Sequence, residues 1–430
     1  MISLSRRALA AILFLSTGIC GGQGFGQSGG VVSVVKVDGE KAASSAGLLA
    51  NGTLYVAGQD GRNADGAVPN DFQLEVRQSL NKLQRVLRAA KMDFGDIAWM
   101  HVYITNERNL AAMNEVYWKS IGAHPPARTV LMVGGLPHGE NIEINCIAAD
   151  KSKHRKLIRP QGWPEDPHVD PAGIQVDDVL YMSAQEGVDP LTKAIAADYA
   201  SEVKQALDNV GTILKTANMS MANVVWVNPY MASTDAVMEK QTTVGPISHN
   251  GQQQAPQASV MNKIYAGYFE FGNTPGRGTI QVVDLPNKNH IVFSCIAGAD
   301  LAKRKSIRPR NMPPSPTASP GVLYGDTYYM SGKSGFIPDQ GIVTPDLDLQ
   351  LRQSMRNLLD DLQEADLDFS NVVSSTVYLR EVKDADQVHA LYGKFFKGRF
   401  PARTTLQNSF DMKTATDEQI SMIAVRQPKH

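Results

Sequence analysis

Cysteine is scarce in this 430-residue chain, which has three. That excludes the disulfide framework by which small secreted domains are stapled. An excess of either charge is missing too: 42 Lys and Arg face 43 Asp and Glu, for a formal net charge of -1. Nothing overall drives the chain toward nucleic acid or an anionic membrane. Basic clusters at Lys151, Lys153, Arg155 and Lys156, and at Lys303, Arg304, Lys305, Arg308 and Arg310, fall between domain-like segments and read as solvated linkers. The sequence has no G-x-S-x-G elbow, phosphate-binding loop, H-E-x-x-H or Cys/His metal spacing, and its nine histidines are scattered. Those hydrolase, nucleotide and metal chemistries are therefore not expected.

A long apolar run is also lacking. The most hydrophobic stretch, ALAAILFLSTGIC, is shorter than the roughly 20 residues a membrane helix needs. Preceded by MISLSRR and followed by GGQGFGQSGG, it has the form of a secretory signal over residues 1–30. A periplasmic or secreted protein, with no membrane attachment after cleavage, is the expectation. Ile19 before Cys20 argues against a lipid anchor. Cys146 and Cys295 sit in the apolar runs NCIAA and SCIAG. They read as buried thiols, with one disulfide between them as the alternative.

What the chain does contain is repetition. NGTLYVAGQDG (from Asn51), DDVLYMSAQEG (from Asp177) and GDTYYMSGKSG (from Gly325) match without gaps. Each reads as a strand entering a Gly-containing loop that lines a cleft. A second block follows in each copy, Leu74–Ile104, Ser201–Met231 and Leu349–Leu379, and opens with an amphipathic helix. Val76, Leu80, Leu83 and Leu87 are spaced by four, three and four, as are Val203, Leu207, Val210 and Leu214, and Leu351, Met355, Leu358 and Leu362. A strand, a second helix, an arginine-bearing turn and a final strand complete the unit. The stretches are PPARTVLMVGGLP (Pro125–Pro137), TPGRGTIQVVDLP (Thr274–Pro286) and FPARTTLQ (Phe400–Gln407), and in the first the arginine stands between small, turn-forming residues and a run that reads as a strand. Three complete domains are expected, over residues 31–152, 153–302 and 303–430. An insertion at about 232–260 in the second reads as an idle loop or a lid.

These residues resemble the RidA (YjgF-type) enamine/imine deaminase family, whose older name is endoribonuclease L-PSP. PPARTVLMVGGLPHGENIEINCIAA, with AGQDG upstream and MNEVY between, carries the likeness, which extends over all three units. The resemblance implies an α+β fold of chorismate-mutase-like domains, each a mostly antiparallel sheet with two helices on one face. Family members are homotrimers with clefts between subunits, so three fused copies would close into a pseudo-trimer within one monomeric chain. It also implies hydrolysis of 2-aminoacrylate-type enamines, through their imines, to 2-keto acids and ammonia, without metal or cofactor. An arginine would hold the substrate carboxylate and a glutamate would manage water and protons.

Carried over by residue, copy one offers Arg128, Glu143, Asn114 and Gly58. Copy two keeps Arg277 and Asn262 but has Val292 at the glutamate position. Copy three keeps Arg403, has His389 at the asparagine position and Gln419 at the glutamate position, with Glu418 on the opposite strand face. The family's tyrosine before the first strand has no counterpart; Ser44, Asp170 and Ala318 stand near its place. The expectation is one competent cleft formed by Arg128 and Glu143, with substrate contacts from Asn114, Gly58, Arg277, Asn262 and Arg403. A cross-strand ion pair between Arg128 and Glu143 is the structural alternative. Functionally, a non-catalytic binder of small carboxylates and, more weakly, a ribonuclease are the alternatives. The -1 charge and the want of an aromatic-and-basic stripe weigh against nucleic acid.

Overall fold

The computed structural model describes residues 32–37, 44–166, 168–233, 256–309, 312–338, 340, 343–409 and 416–427. Residues 1–30, expected to be a secretory signal, and most of the copy-two insertion lie outside the described residues. In copy one, three strands, β1 (Ser33–Val35), β2 (Gly47–Ala50) and β3 (Thr53–Asp60), form a meander. The β2–β3 turn places Asn51 at φ 50° and Gly52 at φ 72°, the left-handed pair that makes Asn-Gly a tight hairpin turn. Helix α1 (Phe72–Ala89) is capped by Asp71, whose side chain accepts from the Gln73 N–H. Strand β4 (Ile97–Ile104), helix α2 (Leu110–Ile121), strand β5 (Ala127–Met132) and strand β6 (Ile142–Ala149) follow. The sheet order is β1-β2-β3-β6-β4-β5. Only β4 and β5 pair in parallel, because α2 supplies the crossover that a parallel pair requires.

Copy two repeats this with β7 (Arg155–Ile158), β8 (Gly173–Val176), β9 (Val179–Met182), β10 (Gln185–Glu186), α3 (Tyr199–Thr216), β11 (Val224–Ala232), α4 (Pro256–Tyr265), β12 (Gly276–Arg277), β13 (Ile280–Val282) and β14 (Ile291–Gly298). Copy three does so with β15 (Arg304–Ile307), β16 (Gly321–Tyr324), β17 (Thr327–Met330), α5 (Leu347–Glu364), β18 (Val372–Leu379), α6 (Ala385–Tyr392), β19 (Ala402–Gln407) and β20 (Glu418–Val425). The fold is the expected α+β triplication. The run that follows each group of turn-forming residues is a strand, and Arg128, Arg277 and Arg403 each occupy its second position. Pro125 and Pro126 end just before β5, so the turn signal lies upstream of the arginine.

Each sheet buries both faces, and the pleat sorts its residues by period two. One face packs on the helices: Met100, Val102 and Ile104 of β4 join Leu80, Leu83 and Leu87 of α1. The other faces inward, where the three sheets meet around a common axis. Tyr55, Trp99 and Ile147 share a core with Tyr181, Trp226 and Ile296 and with Tyr329, Val373 and Ile423. Tyr103, Tyr230 and Tyr378 close a second apolar cluster with Leu131, Ile280 and Leu406. Between these clusters lies a polar layer that cross-links the copies. Thr129 and Ser294 hydroxyls are 2.9 Å apart, and Asn145 donates to Thr404 at 2.7 Å.

Copies one and two meet where the Trp99 indole N–H donates to the Met182 carbonyl at 3.1 Å, and two and three where Trp226 does the same to Met330. Copy three returns to copy one through backbone bonds between Gly134, Gly135 and Gln407. The result is an intrachain pseudo-trimer. Its interfaces are head-to-tail and close as a ring. Cys146 and Cys295 are free thiols buried in the separate helix-side cores of copies one and two.

Candidate active site

A shared scaffold positions each arginine at the edge of its sheet. The helix before it supplies two side chains three residues apart, hence on one face. These are Asn114 and Tyr117, Asn262 and Tyr265, and His389 and Tyr392. The guanidinium carbon of Arg128 lies 4.1 Å from the Tyr117 ring centre, that of Arg277 5.1 Å from Tyr265, and that of Arg403 5.2 Å from Tyr392. These are cation–π distances. Asn114 Oδ1 accepts from Arg128 Nη1 at 2.9 Å, and Asn262 Oδ1 accepts from Arg277 Nη1 at 2.6 Å. The two asparagines thus position their arginines.

The partner of each arginine comes from the next copy around the ring. Ser183 and Ala184 hold the Arg128 backbone: its N–H donates to Ser183 Oγ at 2.9 Å, and its carbonyl accepts from the Ala184 N–H at 3.1 Å. Ser331 and Gly332 hold Arg277 in the same way, at 2.8 and 3.1 Å. The glutamate position therefore has to be read across the junction. Val292 of copy two lines the Arg128 cleft, which has a volume of about 310 Å³. Gln419 of copy three stands beside Gly332 at the Arg277 junction.

Glu143 of copy one lines a cleft of about 210 Å³ with Arg403 and His389 of copy three. Arg128 and Glu143, expected to form one cleft, belong to different ones. The β5 strand carrying Arg128 and the β6 strand carrying Glu143 are separated by β4, so they do not form a cross-strand ion pair either. Head-to-tail closure is the physical reason: it joins the β5 edge of one copy to the β3 and β6 ends of the next.

Gly58 also belongs to the Arg403 cleft. A β-carbon there would overlap Oε1 of Glu143 and lie 2.8 Å from its Cγ. The three junctions vary this pair together: Gly58 with Glu143, Gly332 with Gln419, and Ala184 with the shorter Val292. Where the long side chain is gone, alanine stands in place of glycine. The aligned repeats carry this coupling, and the structure gives its cause where the two positions meet, at Gly58 with Glu143 and at Gly332 with Gln419.

Burial pushes the Glu143 carboxyl well above the usual carboxylate range, and the nearby carboxylates Glu140 and Asp60 push it further. The Thr405 backbone N–H and the Arg403 charge oppose the shift without cancelling it. Burial pulls the Arg403 guanidinium downward against Tyr392 and Glu143. Burial, with the charges of Arg403 and His138, lowers His389 to about 3, so its imidazole is neutral; its Nε2 lies 3.0 Å from Thr405 Oγ1. Asp60 is held low, at about 2, where its ion pairs with Arg62 and Lys82 outweigh burial. The cleft thus combines a half-buried arginine with a carboxyl group whose burial favours the neutral form. That arrangement can hold an anionic group and exchange a proton beside it. Among the described residues no group of three or more His, Cys, Asp or Glu could hold a metal ion, and no helix is long and apolar enough to cross a membrane.

The fold, the ring of arginine-bearing junctions and the sequence together define the class. The Endoribonuclease L-PSP family model matches residues 40–150, 164–298 and 311–425, and the chain belongs to that family, in three tandem copies. It is similar to the rat 2-iminobutanoate/2-iminopropanoate deaminase, with 32% identity over 27% of this chain and 88% of that protein. The human deaminase of the same name is 34% identical over 26% of this chain and 80% of its own length. A solved chorismatase structure covers 77% of this chain and 93% of its own at a TM-score of 0.50 and 12% identity, a likeness of fold.

Proposed function

We propose that the chain hydrolyses small 2-imino acids to 2-keto acids and ammonia at the junction of copies three and one. The observation that carries this reading is that Arg403 and Glu143 line one cleft, the only one of the three junctions in which the arginine faces a carboxyl at the family's glutamate position. Arg403 would take the substrate carboxylate in a two-point contact. Glu143, whose burial favours the neutral acid, would donate its proton to the imine nitrogen. The resulting carboxylate would accept a proton from the water adding to the imine carbon. Collapse of the carbinolamine would release ammonia and leave the keto group. The relatives named as 2-iminobutanoate/2-iminopropanoate deaminases support this substrate class.

The Arg277 junction favours a second role. Its arginine is half-buried with Asn262 and Tyr265, but Gln419 replaces the acid, so it would bind a carboxylate without turning it over.

The test is 2-oxobutanoate release from 2-iminobutanoate generated in situ. Glu143→Gln should slow the reaction by about 10²- to 10⁴-fold, the usual contribution of a positioned acid–base group, and Arg403→Ala should lower kcat/KM by loss of the carboxylate contact, while Arg128→Ala retains activity. Loss at Arg128→Ala with full activity in Glu143→Gln would refute the assignment. We also propose export, from the basic and then apolar leader over residues 1–30. Full-length protein found with its leader intact in the cytoplasmic fraction would rule that out.

A further inference from the structure

The three arginines are not equally open. Arg277 and Arg403 are half-buried, whereas the Arg128 side chain is 6% exposed. What covers it is a carboxylate from the neighbouring copy. Asp170 Oδ2 accepts from Arg128 Nε at 3.0 Å, and Oδ1 lies 2.9 Å from the same nitrogen. With Asn114 on Nη1 and the Tyr117 and Trp118 rings 4.1 and 4.9 Å from its carbon, the guanidinium is enclosed. Asp170, 26% exposed, stands toward the cleft.

The segment holding Asp170 is fixed as well. The adjacent Pro171 carbonyl accepts from Ser183 Oγ at 2.6 Å, and that same Oγ accepts the Arg128 backbone N–H. In the aligned repeats the position of Asp170 is Ser44 in copy one and Ala318 in copy three. Ser44 lines the Arg403 cleft, and neither residue can supply a negative charge. Arg128 alone among the three appears in the ion pairs of the described residues.

We propose that Asp170 is a resident carboxylate occupying the anion seat of Arg128, so that the cleft between copies one and two is closed to small free carboxylates and becomes a carboxylate site when Asp170 is removed. A guanidinium already paired to a carboxylate at hydrogen-bond distance has its charge and its Nε donor committed. A free ligand would have to displace a group tethered at high effective concentration. Asp170 is thus a specificity-determining residue that makes this cleft differ chemically from its two counterparts. The inference rests on the reading of these arginines as carboxylate anchors.

The experiment counts bound equivalents of radiolabelled 2-oxobutanoate by equilibrium dialysis on the full chain. Arg128→Ala in the wild-type background should lose no equivalent, because its seat is filled. Asp170→Ala should gain one equivalent over wild type, and adding Arg128→Ala should remove it. A wild-type equivalent lost with Arg128→Ala overturns the proposal. So does a folded Asp170→Ala protein with no gain, or a gain that survives Arg128→Ala. If Asp170→Ala does not fold, Asp170→Asn, which keeps the shape and removes the charge, is read by the same criteria. Equivalents lost with Arg403→Ala report separately on the active-site reading, so either idea can fail while the other stands.

Discussion

Replacing Gly58 by alanine adds one methyl group to the Arg403 cleft and tests how the acid is held. Gly58 needs no left-handed backbone; its requirement is space, since its β-carbon would overlap Glu143 Oε1 and sit 2.8 Å from Cγ. The Glu143 side chain must leave its rotamer or the β3 and β6 backbones must part. Overpacking of this kind costs about 1–3 kcal/mol. Displacing the carboxyl from the Thr405 N–H should also remove most of its contribution to rate, roughly 10²- to 10⁴-fold.

Copy two supplies the compensating change, because Ala184 and Val292 stand at these positions and line one cleft there. Gly58→Ala with Glu143→Val should therefore recover much of the stability lost in Gly58→Ala alone, with a coupling of about 0.5–3 kcal/mol, while deamination stays abolished. Chemical denaturation of the four proteins of the cycle measures the coupling, and 2-oxobutanoate release measures the rate. Full activity in Gly58→Ala, or additive stabilities, would show that the two positions do not compete for one space.

Trp99→Phe should cost about 1–3 kcal/mol, since it strands the buried Met182 carbonyl that the indole now caps at 3.1 Å; an unchanged unfolding midpoint would contradict the junction described. Burial pushes Glu418 up to about 8, only partly relieved by Ser354 and the Gly335 backbone. Its folded pKa lies above the unfolded one, so its contribution is present below the ordinary glutamate value and is lost as pH rises through about 8. Stability should fall over that window and the fall should flatten in Glu418→Gln; parallel pH profiles would refute the assignment. Light scattering should return the mass of a single chain, and a stable assembly of three chains would argue that the ring is not closed internally.

Much of this was legible beforehand, for physical reasons. The four-three-four apolar spacing put α1, α3 and α5 in their places because a helix has one buried stripe. Strand alternation placed Glu418 away from Gln419, and the structure buries Glu418 beside Ser354 of α5. The run after each arginine reads as a strand from its sequence; that the strand already holds the arginine is less legible, because proline marks where a strand begins as readily as where a turn sits. Read within one copy, the sequence pairs Arg128 with Glu143, which line different clefts. A cyclic arrangement of head-to-tail contacts joins a residue to its counterpart's neighbour, so Arg403 was the arginine to set against Glu143. Asp170 stood out only as a departure from the family's tyrosine; that it reaches Arg128 depends on how copy two docks against copy one.

Two of the three junctions are clasped by an indole and also bridged by the chain itself, whereas the junction of copies three and one has Ser374 at the tryptophan position and no covalent span. It is the seam of the ring. Partial opening, which in any fold starts where local stability is lowest, should begin there, and the seam bears Glu143 and Arg403. Amide exchange along β19 and the end of β3 would then outpace exchange at the two clasped junctions, and the protein's doorway would coincide with its weakest suture.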